Sequence, residues 1–119
     1  MAEPPPPACT AARLFEIVWE TMADVIGTAA TATLMRRSAK RVSVGGSELV
    51  VVTRHGFDYR YSLPERWQQA EGEAVGELRQ IARQLSPLLI ELTGPVLLRR
   101  LIAHDDLQRC RILFEERPE

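Results

Sequence analysis

From Thr10 onward, apolar residues return every three or four positions: Ala11, Phe15, Val18, Met22, Val25, Ala29, Ala32 and Met35. At 100° per residue they share one stripe, which Leu14, Trp19 and Ile26 widen. Arg13, Glu16, Glu20, Asp24 and Thr31 gather on the opposite side. The spacing predicts an amphipathic helical segment over residues 10–41, with Thr10 as its N-cap. Gly27 weakens a helix by about 1 kcal/mol relative to Ala. One long helix and two helices joined near Gly27 both satisfy the pattern.

A change of period follows. Gly45, Gly46 and Ser47 break the helix, and Leu49–Thr53 is a β-branched run suited to a strand. Phe57, Tyr59, Tyr61 and Leu63 then alternate with Asp58, Arg60 and Ser62, which gives one apolar and one polar face. Arg54, His55 and Gly56 between the runs predict a short hairpin turn. An isolated hairpin is marginal in water, so its aromatic face is expected to pack on the helices.

Pro64 suits the first turn of a helix and Glu65 its positive end. Beyond Gly72, a second apolar stripe runs through Val75, Leu78, Ala82, Leu85, Leu89 and Leu92, flanked by Ile81 and Leu88. The phase continues through Pro87, which predicts a kink there and not a stop. Thr93, Gly94 and Pro95 read as a stop and restart, launching a shorter helix through Leu98, Leu101 and Ile102. For the C-terminal stretch two readings stay open: a last helical turn capped by Asp105 or Asp106, or a third strand in which Cys110, Ile112 and Phe114 alternate with Arg109 and Arg111.

The fold class these elements predict is α+β. Two long helical segments and a short C-terminal helix pack on a small antiparallel sheet, a β-hairpin with room for a third strand. The proline run Pro4–Pro7 makes residues 1–9 an extended leader and leaves 10–119 as one domain. With 119 residues there is little room for two.

Composition narrows the function classes. Fifteen basic and sixteen acidic side chains give a formal charge of −1, so there is no global pull toward nucleic acid or anionic membranes. The N-terminus has an acid where a secretion signal carries bases, and no apolar core follows it. The uncharged stretch from Val25 to Met35 is about half the ~20 residues a membrane helix needs. A soluble, cytoplasmic protein is expected. Cys9 and Cys110 can bridge on paper, but are expected as ordinary thiols. Fourteen of the fifteen basic residues are Arg, read here as genome composition of a bacterial type.

No catalytic or cofactor motif emerges. His104, Asp105 and Asp106 are adjacent along the chain, without the HxxxH or HExxH spacing that brings ligands to one side of a helix. The serines lack a G-x-S-x-G elbow. Gly45-Gly46-Ser47 lacks a Walker lysine. Glu16, Glu20 and Asp24 read as a solvated stripe near a helix N-terminus.

Three groups remain as candidate sites. Arg36, Arg37, Lys40 and Arg41 form a cationic cluster fit for an anion or an acidic partner; without interleaved aromatics, a nucleic-acid surface is disfavoured. Arg36 and Lys40 also lie on the continuation of the apolar stripe, so the helix is expected either to leave the protein body there or to meet something acidic. Val25, Ala29 and Ala32 lie in a small-residue tract that admits a close helix–helix approach, which suits a homodimer or internal packing. Trp19, Tyr59 and Tyr61 are candidates for lining a pocket between helices and sheet. The expected function is therefore a non-enzymatic interaction or regulatory module, acting through helix-mediated self-association or docking to an unknown protein partner. The alternative is a sensor or carrier of a small ligand. No cofactor, metal or membrane is expected in either case.

Overall fold

The computed structural model describes residues 10–42, 50–68, 73–110 and 112. The proline leader, the Gly45–Ser47 turn, Cys9 and Phe114 lie outside the described residues. The elements are α1 (Ala11–Ile26), α2 (Thr28–Arg41), β1 (Val51–His55), β2 (Asp58–Ser62), a 3₁₀ turn (Glu65–Gln68), α3 (Glu73–Thr93), α4 (Pro95–Ile102) and α5 (Asp105–Arg109). The architecture is mostly helical with a two-stranded antiparallel sheet, a small α+β fold.

Thr10 caps α1 as expected, its Oγ1 accepting from the Arg13 amide at 3.2 Å. The long first segment is two helices. Gly27 separates them at φ +84°, ψ 163°, a conformation that essentially only Gly adopts. Its effect is rotational. α1 buries Ala11, Leu14, Phe15, Ile17, Val18, Trp19 and Met22, whereas α2 buries Thr31, Ala32, Leu34, Met35, Ser38 and Ala39. Carried along one uninterrupted helix, the centres of these two faces would differ by roughly 130°. The break at Gly27 lets both face the core.

That rotation corrects three expectations. Thr31, assigned to the polar side, is fully buried, its Oγ1 donating to the Gly27 carbonyl at 2.8 Å. Ala29 is exposed although it continues the α1 stripe. Arg36 and Lys40 are likewise exposed without the helix leaving the body, because α2 presents a different side to the core. Replacing Gly27 by Ala is expected to cost about 1–3 kcal/mol through backbone strain alone. No atom lies within 4 Å of the added Cβ, so crowding contributes nothing. A melting temperature unchanged by Gly27→Ala would show that the break is not conformationally demanding.

The hairpin pairs Val51 with Ser62, Val52 with Tyr61 and His55 with Asp58. Its turn is Gly56–Phe57, one step later than expected, with Gly56 at φ +65°. Phe57 therefore sits at the tip, 94% exposed, and does not pack on the helices. Tyr59 and Tyr61 lie against the core, half-buried, and Val52 across from Tyr61 is buried.

α3 runs through Pro87, which points to solvent, and buries Val75, Leu78, Ile81, Ala82, Leu85, Leu88 and Leu89. Gly94 at φ +64° ends it and Pro95 opens α4, which buries Leu97, Leu98 and Leu101. The chain then forms α5. Its cap is His104, whose Nδ1 accepts from the Asp106 amide at 3.3 Å, not either aspartate. Cys110 ends that helix and Ile112 is buried in the core outside any strand, so neither lies in a third strand. Cys110 is also disulfide-bonded, against the expectation of a free thiol.

Phe15 is the hub of the core between α1 and the hairpin. Its ring lies 4.7 Å from Tyr61, 6.1 Å from Trp19 and 6.2 Å from Trp67, centroid to centroid. Trp67, fully buried in the 3₁₀ turn, donates its indole N–H to Glu77 on α3 at 3.1 Å. The buried Ser38 hydroxyl has no hydrogen-bond partner among the described residues.

Candidate functional site

The three groups singled out in the sequence have different fates. Trp19 and Tyr61 stand 4.9 Å apart, centroid to centroid, and both touch Phe15. Rings at such spacings occupy one another's van der Waals shells, so these two side chains fill the seam between α1 and the hairpin. Tyr59 is partly buried against the same core but shares in none of these ring pairs among the described residues. Burial, together with the charges of Glu16 and Glu20, pushes the Tyr61 phenol above its ordinary value. Both effects disfavour the phenolate.

Val25, Ala29 and Ala32 do not form one surface. Ala32 is in the core, whereas Ala29 and Val25 are exposed. Val25 has company that the sequence did not assign to it. Asp24 reaches Arg100 on α4 at 3.6 Å, which ties the last turn of α1 to α4. Val96 precedes Arg100 by one turn of α4 and is 62% exposed. Leu92, in the last turn of α3 before Gly94, is 55% exposed, although the sequence stripe placed it with the core. The corner where α1 ends and α3 passes into α4 is marked by the Asp24–Arg100 pair and the Gly94 turn, and each of the three helices has one exposed aliphatic side chain within about a turn of these marks: Val25, Leu92 and Val96. The signal that Leu92 escapes burial was Gly94, which turns the chain away within two residues.

Arg36, Arg37, Lys40 and Arg41 are all exposed at the C-terminal half of α2. At 100° per residue they cover roughly 140° of the helix surface, away from the buried side. No hydrogen bond or ion pair engages Arg36, Arg37 or Arg41 among the described residues. The N-terminal half of the same outward side is Ala29 and Thr33, small and exposed.

Two of the three residues considered for metal binding are otherwise engaged. His104 caps α5 through Nδ1, and Asp106 pairs with Arg109. The described residues contain no group of three His, Cys, Asp or Glu side chains placed to share an ion. Nor is any described helix long and apolar enough to cross a membrane. Comparison of the chain with family models, curated proteins and solved structures returns no match.

Proposed function

We propose that the protein is a non-enzymatic interaction module, of bacterial type, that self-associates through the corner formed by Val25, Leu92 and Val96. One observation carries this reading. Three large aliphatic side chains, one from each of α1, α3 and α4, stand exposed near the junctions of those helices, and exposed aliphatic groups that share a surface suit a protein contact. The Asp24–Arg100 pair that ties α1 to α4 is exposed, and pairs of this kind are worth about 0–1 kcal/mol, so the aliphatic groups supply the affinity of the proposed contact.

Sedimentation over a range of micromolar concentrations tests the proposal. The expected result is a mass above one chain that falls on dilution. Val96→Glu is expected to weaken association at least about tenfold by placing a charge in the contact, with an unchanged melting temperature for the single chain. A wild type that sediments as one chain throughout would defeat the proposal. The cytoplasmic setting inferred from composition is the part that the disulfide of Cys110 opposes, because reducing compartments keep thiols open.

A further inference from the structure

The outward side of α2 differs from the aliphatic corner in a way that decides its partner. The sequence of α2, Thr28–Arg41, has four cations and no acidic residue. Laid against itself it brings together charges of one sign, so a second copy of the same face is opposed. The acids of α1 are also a poor match. Asp24 is held by Arg100 and Glu16 by Arg13 at 3.2 Å, and of the α1 series Glu20 has no ion-pair partner among the described residues. We infer that this face docks an acidic helical segment of another protein.

Two features favour a helix over other polyanions. The cations occupy only the C-terminal half of the face; the N-terminal half is Ala29 and Thr33, whose small side chains let a second backbone come close. A phosphate chain gains nothing from that half, whereas a helix lying along α2 uses both. No aromatic residue stands among Arg36, Arg37, Lys40 and Arg41 on which bases would stack. Complementing the negative C-terminal pole of α2 accounts for Lys40 and Arg41 in its last turn, but Arg36 and Arg37 stand a full turn earlier and are also unpaired among the described residues. The partner therefore presents carboxylates at i, i+4 spacing over the cationic half and small residues over Ala29.

The inference rests on α2 alone and does not depend on self-association at the Val25 corner. Fluorescence anisotropy with a labelled alanine-based helical peptide carrying glutamates at i, i+4 positions tests it, with a lysine counterpart and a short DNA duplex as comparisons. At low salt the glutamate helix is expected to bind and the lysine helix not to, with binding falling as salt rises. Replacing Arg36, Arg37 and Arg41 together by Ala should weaken binding about tenfold, the sum of three exposed charge contacts. Ala29→Trp, which changes no charge, should weaken it by a comparable factor if a helix lies along the face. All four residues are exposed, so these variants are expected to fold, and circular dichroism checks that they do. Binding of the Val96→Glu variant should match wild type. Equal or tighter binding of the DNA duplex overturns the inference, as does peptide binding that is indifferent to Ala29→Trp. Failure of the glutamate helix to bind at low salt overturns it too, and leaves the self-association result standing or falling by its own measurement.

Discussion

Ala32→Glu is expected to unfold the protein, and Ala29→Glu to leave it folded. The two alanines are three residues apart on α2, and a single helical stripe drawn through the sequence contains both. In the fold Ala32 is 1% exposed within the core and Ala29 faces solvent. A glutamate at position 32 must either bury a carboxylate without a partner or push α2 off its neighbours. Burying such a group costs several kcal/mol, a large share of the ~5–15 kcal/mol that holds a domain of this size. At position 29 the same side chain stays in water, and surface changes of this kind fall within about 0.5 kcal/mol. Circular dichroism melts of the two variants measure the contrast. If Ala32→Glu melted within a few degrees of wild type, the rotation of the buried face at Gly27 would be wrong.

That rotation also marks where sequence reading stops. The helical period from Ala11 to Met22 needed only spacing, because α1 is regular and buries one stripe. Beyond Gly27 the same arithmetic failed. Periodicity assumes a continuous helix, and one residue at φ +84° resets the phase without altering the composition. Arg36 and Lys40 looked anomalous only because of that assumption. The hairpin shows the same kind of limit. Alternation placed Tyr59 and Tyr61 on the inner face correctly, but a two-residue turn moved Phe57 from the strand to the tip. The continuation of α3 through Pro87 was legible from the unbroken apolar phase, and the Thr93–Pro95 break because glycine and proline act locally. The exposed corner was not, since Val25, Leu92 and Val96 come from three helices and the packing of α1 on α4, where Asp24 reaches Arg100, is a tertiary contact. The cations at 36–41 were visible from the first. That Arg36, Arg37 and Arg41 have no ion-pair partner among the described residues needed the fold.

Trp67→Ala is expected to be the most damaging simple truncation in the chain. The sequence around this residue has no helical period that would fix the direction of its side chain. Pro64 decides it structurally: its carbonyl accepts from the Trp67 amide at 3.0 Å, closing the 3₁₀ turn that points the indole inward. There the ring is fully buried, meets Phe15 edge-on at 6.2 Å and donates to Glu77 at 3.1 Å. Removing it empties the largest buried side-chain volume and takes away the link from the 3₁₀ turn to α3. Losses of about 3–5 kcal/mol are typical for an aromatic-to-alanine change in a core. In a domain of this size that lowers the melting temperature on the order of 20 °C. Glu77→Gln separates the two contributions, because the amide oxygen still accepts from the indole while the charge is gone. It is expected to cost under about 1 kcal/mol, the difference between a charged and a neutral acceptor. If Glu77→Gln proved as harmful as Trp67→Ala, the indole would owe its importance to the carboxylate and not to the packing of its ring on Phe15.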